Sequence, residues 1–309
     1  MSTINHAPPG TLQWPIDDPN FTTVDANSLQ ILERFKLCFL GAHSVGKSTV
    51  VENLIGREFL PHGFGNVTRR PLIVQLIHRP VANRTSTNNA STTTDATANS
   101  TEWGEFLHLP NQKFFDYTKI RDQILYDTEA ETQHLSDSRE ISPNPIHLRI
   151  FSPKVLTLTL IDLPGIPVKH PIYEQPIRDM LIQYISSPAC LIIAVISALD
   201  DLAHCKALKM AREVDPGRAR TFGLLTKVDL MDPGYDVVRI LAGRIISLPF
   251  GYVPLVNRGI GKEMDIASAL KAEREFFKRH PSYQAKAEYC GMPFFAHKLN
   301  LWLKLRVQV

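Results

Sequence analysis

Apolar and polar positions along the chain fall into two periods, and the alternation between them predicts its architecture. Phe35 to Leu40 is a short, mostly apolar run of strand type, and Pro71 to His78 reads as a second strand. Ile146 to Phe151 and Leu156 to Ile161 alternate with a period of two, which predicts an antiparallel pair. Cys190 to Ile196, Thr221 to Leu225 and Tyr252 to Val256 are continuous enough for buried strands. Between them, Tyr117 to Glu131 carries Ile120, Ile124 and Leu125 at helical spacing, and further helices are expected near Asp201 to Val214 and Asp236 to Ser247. Strands alternating with helices predict an α/β fold: a mixed, mainly parallel sheet flanked by helices, with ligand loops at the carboxyl ends of the strands. Two stretches stand outside this pattern. Residues 1 to 28 contain Pro, Asn and Thr and are expected to be mobile. Ala82 to Thr101 is built from Ala, Ser, Thr and Asn apart from Arg84 and Asp95, a composition too polar to offset the entropy of ordering, so about 80–102 is expected to be a disordered insert.

Composition narrows the class. With 309 residues, 44% hydrophobic and 21% charged, the chain is long enough to bury a large core. A net charge of +3, with scattered basic residues, speaks against nucleic acid as a partner. Cys38, Cys190, Cys205 and Cys290 show no C-x-x-C pairing and read as reduced thiols of a cytoplasmic protein. Residues 1 to 28 hold no signal-peptide pattern, and the longest apolar run, Ala189 to Ile196, is too short to span a bilayer. Asn83-Arg84-Thr85 and similar triplets match a glycosylation pattern that has no meaning in such a compartment.

The candidate chemistry lies in the loops. Gly41-Ala42-His43-Ser44-Val45-Gly46-Lys47-Ser48, followed by Thr49, spells G-x-x-x-x-G-K-[ST] directly after a strand and before a helix. In this P-loop the two glycines let backbone N–H groups turn inward around phosphates, Lys47 reaches the β and γ phosphates, and Ser48 is placed to ligate Mg²⁺. A second strand ends in Asp162-Leu163-Pro164-Gly165, where the aspartate serves Mg²⁺ and the Gly165 N–H a γ-phosphate. Thr68, in the loop Gly63 to Pro71, is the candidate second hydroxyl for the metal. A third strand ends in Thr226-Lys227-Val228-Asp229, a T-K-x-D whose carboxylate accepts from guanine N1–H and the exocyclic amine while the Lys227 stem lies along the ring. GTP is therefore the expected substrate, since adenine would leave that carboxylate unpaired.

These elements, with Glu213-Val214-Asp215-Pro216, Val256-Asn257-Arg258 and His280-Pro281-Ser282-Tyr283, resemble the GTPase domain of the dynamin family over residues from about 35 to 300. Glu102 to His108 is similar to the corresponding stretch of fungal-type members that act in vacuolar sorting and in mitochondrial and peroxisomal division. The resemblance implies an extended dynamin-type P-loop GTPase domain over 29–300, with Mg²⁺ as cofactor and a role in membrane fission and organelle division. It implies that Ser44 and the carbonyls of Gly63 and Gly65 hold a monovalent cation, K⁺ or Na⁺, and that Thr68 positions the attacking water. It further implies that Asn257 and Arg258 complete the guanine pocket, and that Asp201 reaches a partner's nucleotide when two such domains pair. Localisation would be cytoplasmic, peripheral to organelle membranes or microtubules.

Departures from the family pattern temper this. His43 stands where relatives carry Gln; its imidazole either donates to the bridging oxygen or has no role. Ile166 to Pro176 is shorter than the family's run, and Lys169 is the candidate substitute for a displaced lysine. Gly259-Ile260-Gly261-Lys262 replaces the family's Ser-Gln after Arg258. Leu301 to Val309 alternates with period two where the family has a bundle helix, so 301–309 reads as a frayed or repurposed end without a stalk. Two functions follow: a GTP-hydrolysing mechanoenzyme head, slow in isolation, or a catalytically weak GTP-binding module that pairs with full-length relatives.

Overall fold

Alternation along the central strands decides the layering. In β1 (Lys36–Leu40), Leu37 and Phe39 enter one buried cluster and Cys38 and Leu40 another, so both faces are covered. β6 (Cys190–Ser197) is buried at every position, as a parallel strand between two helix layers must be. The computed structural model describes residues 35–63, 67–80, 101–133, 141–167, 171–231, 237–258 and 264–307. With β2 (Leu72–His78), β3 (Trp103–Phe106), β4 (Ile146–Ser152), β5 (Leu158–Asp162), β7 (Thr221–Thr226) and β8 (Tyr252–Pro254), the described strands form an eight-stranded sheet in the order β3-β4-β2-β5-β1-β6-β7-β8. The β5-β1-β6-β7-β8 half is parallel throughout, while β2 is antiparallel to β5 and β3 to β4.

The expected antiparallel pair of Ile146–Phe151 with Leu156–Ile161 does not form. β2 inserts between them, parallel to β4 (Leu72↔Ile146) and antiparallel to β5 (Leu72↔Asp162). Alternation fixes which face of a strand is apolar but not its neighbour. The end of β2 then fills the connection: His78 N donates to Thr157 Oγ1 at 3.1 Å and His78 Nδ1 lies 3.1 Å from Val155 O.

Four helices cover one face: α1 (Lys47–Ile55), α2 (Tyr117–Thr132), and then α6 (Ile266–Arg279) and α7 (Gly291–Val307), which follow later in the chain. α3 (Pro171–Ile185) and α4 (Lys206–Val214) cover the other through Leu181, Ile185, Met210 and Ala211. The helix expected from Asp201 starts later, because Asp201 Oδ1 accepts from Ala203 N at 2.9 Å and closes a separate 3-10 turn over Leu202–His204. The one expected over Asp236 to Ser247 is reduced to α5 (Val237–Leu241), after which Tyr252 Oη donates to Ile246 O at 2.9 Å and holds a run of turns.

Leu301, Leu303 and Leu305 suggest a period of two, yet the residues up to Val307 belong to α7. Its buried stripe is Met292, Phe295, Leu299, Trp302 and Leu303, at helical steps of three and four, while Leu301 and Leu305 face outward. Expectations for residues 1 to 28, for most of the insert, and for Gly65, Lys169 and Gly259 to Lys262 lie outside the described residues. Among the described residues no helix is long and apolar enough to cross a membrane.

Candidate nucleotide-binding site

The carboxyl ends of β1, β5, β7 and β8 open onto a cavity of about 530 Å³. Its lining takes in His43, Ser44, Val45, Gly46, Lys47, Ser48, Thr49, Thr68, Gly165, Lys227, Asp229, Asn257 and Arg258, residues separated by more than two hundred positions in the chain. Gly41, Asp162 and Thr226 do not line it, but each is hydrogen-bonded to a residue that does: Gly41 O to Lys47, Asp162 to Ser48 and Thr226 to Val45.

The loop between β1 and α1 is shaped by its own backbone. Ser44 sits in the left-handed region at φ 56°, and Gly46 at φ 90° caps the helix. A side chain at Gly46 would be strained twice over, since a Cβ there would lie 2.5 Å from Asn257 Nδ2. Thr226 Oγ1 lies within hydrogen-bond distance of Val45 O, to which it donates at 2.7 Å, and of Ile196 O at 3.1 Å, so the first residue of the T-K-x-D pins the phosphate loop. Asn257 Nδ2 donates to Gly46 O at 3.3 Å from the other side, leaving Asn257 Oδ1 buried with no partner.

Lys47 is buried, and its ammonium donates to Gly41 O at 3.3 Å and Ala42 O at 2.9 Å. Burial lowers its pKa to about 8, opposed by the charge of Asp162. Ser48 Oγ donates to Asp162 Oδ2 at 2.6 Å and lies 3.3 Å from Thr68 Oγ1. Burial raises Asp162 to about 6, against the pull of Lys47 and the Ser48 hydroxyl, and its Oδ1 is buried without a hydrogen-bond partner. Two hydroxyls and an orphaned carboxylate oxygen make an all-oxygen donor set of the kind that suits a hard divalent cation such as Mg²⁺. Among the described residues no cluster of three His, Cys, Asp or Glu side chains offers the alternative of a zinc-type centre.

His43 packs against Gly165. A Cβ on that glycine would meet His43 Nδ1 at 2.5 Å and His43 Cα at 2.9 Å, and Ile166 N donates to Gly41 O at 3.0 Å, which fixes the two loops edge to edge. Burial, and then the charge of Lys47, push the imidazole toward its neutral form.

At the base end, Lys227 adopts φ 60° and Asp229 follows on a single 3-10 turn. Arg258 lines the cavity with its guanidinium held by neighbours: Nη2 donates to Glu52 Oε2 at 2.8 Å, and Nη1 pairs with Glu58 and donates to Met264 O at 3.3 Å. Glu52 and Glu273 are residues that motif reading missed. Glu52, fully buried on α1, accepts from Phe59 N at 2.8 Å and Leu60 N at 2.7 Å, and its Oε2 lies 2.7 Å from His62 Nε2. Glu273 on α6 accepts from Val256 N and Met292 N, both at 2.9 Å. The available signal was an acid inside an apolar helical stripe, Val50-Val51-Glu52 in one case and Leu270 to Phe277 in the other. Asp201 is elsewhere: exposed, capping its turn, with Oδ2 2.8 Å from His204 Nδ1.

Residues 37–228 match the family model described as the dynamin family, and residues 236–308 match the one described as the dynamin central region. The chain is 53% identical over 296 residues to vacuolar protein sorting-associated protein 1 of Schizosaccharomyces pombe, covering 92% of this chain and 42% of that protein. It is 41% identical to Dynamin-A of Dictyostelium discoideum, over 93% of this chain and 33% of the relative. With Dynamin-1 of Rattus norvegicus the identity is 44%, over 86% and 29%. The chain thus spans less than half the length of these curated relatives.

Proposed function

The chain belongs to the dynamin family, and from that premise we propose that residues 29–300 form a domain that binds GTP and hydrolyses it to GDP and phosphate, in the service of membrane remodelling. The observation that carries the reading is the cluster of Ser48, Thr68 and Asp162, with its orphaned Oδ1, beside a buried lysine at a phosphate-loop mouth. Mg²⁺ held by these oxygens would neutralise charge on the phosphates. The remaining work falls to the chain. Among the described residues Lys47 forms no salt bridge, and its ammonium is available to leave its loop carbonyls for phosphate oxygens. The Thr68 backbone and hydroxyl orient the attacking water, and the Gly165 N–H, held by the His43 contact, meets the γ-phosphate. Ser44, in its left-handed conformation, and the Gly63 carbonyl supply the described part of a K⁺ or Na⁺ site that adds positive charge. Asp229 and Lys227 select guanine.

Vacuolar sorting, named for the fission-yeast relative, is the process we assign by extension, acting at organelle membranes through nucleotide-dependent pairing of such domains. A weak-turnover module that pairs with longer relatives is the second reading, favoured by the short run from Ile166 to Pro176 after Gly165. Single-turnover hydrolysis with and without potassium tests the first: Mg²⁺-dependent turnover, faster in potassium and abolished by Lys47→Ala, is expected. Tight GTP binding without turnover would select the second reading, and equal affinity for ATP and GTP would sink both.

A further inference from the structure

The stretch His280-Pro281-Ser282-Tyr283 does not line the cavity and takes no part in the chemistry above. It ends α6: His280 N donates to Phe276 O at 2.9 Å and Tyr283 N to His280 O at 3.0 Å, a turn that folds Tyr283 back onto the helix. Pro281 and Ser282 are exposed, whereas Tyr283 is buried, its ring edge-on to Phe277 with centroids 5.2 Å apart and tilted against Phe276 at 6.0 Å. The same side chain meets the T-K-x-D loop. Val228, the buried residue of that motif, shares one apolar cluster with Tyr283, Phe277 and Leu225, and Met231 packs against this cluster. Tyr283 Oη donates to Met231 Sδ at 3.9 Å, two residues beyond Asp229. Burial, and then neighbouring Cys290 and Asp229, push the Tyr283 hydroxyl up to about 12, so the Asp229 carboxylate lies close enough to act on it. Asp229 itself is exposed at the cavity, on a turn closed by Leu230 N donating to Lys227 O at 3.1 Å, with Val228 pointing into the cluster below. α6 also holds the loop alongside: Glu273 Oε1 accepts from Val256 N at 2.9 Å, and Leu255 N donates to Leu225 O at 2.8 Å.

We propose that Tyr283 is a positioning residue for base selectivity, its buried ring supporting from below the turn that carries Asp229. The proposal rests on the nucleotide reading of this cavity. Its physical basis is that a carboxylate reads two N–H groups of a base only at hydrogen-bond distance and angle, so a turn that settles into a void loses the pairing on which discrimination depends. Tyr283→Ala opens that void beneath Val228 and Met231. Tyr283→Phe keeps the ring and removes only the long contact of the hydroxyl to sulfur.

The experiment uses the full chain: displacement of a ribose-labelled GDP by GDP and by ADP, with the melting temperature of each protein, for the parent, Tyr283→Phe, Tyr283→Ala, Met231→Ala, Asp229→Asn, the Tyr283→Ala/Asp229→Asn double variant and Trp302→Ala. In the parent GDP should bind far more tightly than ADP. Tyr283→Ala should lose about tenfold in GDP affinity while ADP, held by the phosphate loop, stays within about twofold. Tyr283→Phe should stay within about twofold of the parent for both, and Met231→Ala should show part of the alanine variant's loss. Added to Asp229→Asn, Tyr283→Ala should cost GDP no further affinity, because its effect passes through that carboxylate. Trp302→Ala removes a buried aromatic from a different cluster and is the control: a lower melting temperature with an unchanged GDP:ADP ratio. An unchanged ratio in Tyr283→Ala, an equal loss of GDP and ADP affinity, or a loss that persists in full on the Asp229→Asn background would overturn the proposal. A parent with no preference for GDP would instead refute the base assignment itself. Should Tyr283→Ala fail to fold, Tyr283→Leu and Met231→Ala decide by the same ratio.

Discussion

Asp162 is the last residue of β5 and lies behind the cavity lining, whereas Asp229 follows β7 and lines the cavity, and these surroundings fit the different roles proposed for them. Asp162 is buried among Ser48, Lys47 and Glu52, which suits charge held for a cation. Asp229 sits at the mouth on a one-turn helix, its carboxylate open to a hydrogen-bonding base edge. Replacing its acceptor with an amide should therefore change preference and not merely weaken binding. Asp229→Asn is expected to lose at least about tenfold in GTP affinity and to gain xanthosine triphosphate, which presents an acceptor where guanine presents its amine; competition titration reads both. The neighbouring loop is sensitive for a different reason. Gly46→Ala adds a Cβ at φ 90° within 2.5 Å of Asn257 Nδ2. Strain and the displaced Asn257 should together cost about 2 kcal/mol of unfolding free energy in the nucleotide-free chain, measurable by urea titration, and nucleotide affinity should fall as well.

The helix α7 shows what element-level packing does that local pattern cannot. Trp302 is buried edge-on against Phe35 with ring centroids 5.4 Å apart, and Leu303 beside it is fully covered. Trp302→Ala should lower unfolding free energy by about 3 kcal/mol in urea titration, whereas Leu301→Ala, on the exposed side, should stay within about 0.5 kcal/mol. A frayed end would show neither loss. The sequence pattern failed here because Leu301 and Leu305, exposed on the outer side of the helix, flank the buried Leu303 at steps of two and so imitate strand alternation. The same limit explains the misplaced strand pair, since β4 and β5 alternate as expected and only β2 decides that they do not touch. The phosphate loop, Thr68 and Asp162 were legible because their chemistry demands fixed residue types next to a strand end, and the sheet order then assembles them. Thr226 was legible as a position but not as a role: its hydroxyl braces Val45 O, a contact across 181 residues that no local signal encodes. Glu52 and Glu273 carry no motif at all, because their partners are mostly backbone N–H groups of any residue type.

At the scale of the whole molecule, three buried ionisable groups set how stability should vary with pH. Glu273 joins the end of β8 to the start of α7, and burial raises its pKa to about 7 against the two backbone N–H groups that favour its charged form. An acid whose pKa is higher in the folded than in the unfolded chain binds more protons when folded, so stability falls as pH rises from about 4.5 to about 7 and then levels. Asp162, at about 6, adds a loss of the same sign over a lower window. Lys47 acts in the opposite direction further up: its folded pKa of about 8 lies below the unfolded value, so stability recovers as pH rises from about 8 toward 10.5. These three groups together place a shallow minimum of nucleotide-free stability between about pH 7 and 8. Glu273→Gln removes the titration, although its amide keeps an acceptor for only one of Val256 N and Met292 N, since the NH₂ group donates where both carboxyl oxygens accept. The variant should lose about 1–3 kcal/mol at pH 5, where the native carboxyl is already protonated and one N–H loses its acceptor, and this deficit should shrink or reverse by up to about 3 kcal/mol at pH 8. Thermal unfolding of both proteins at the two pH values decides it. A variant that loses more stability at pH 8 than at pH 5 would mean that the two N–H groups outweigh burial and that Glu273 is charged in the fold.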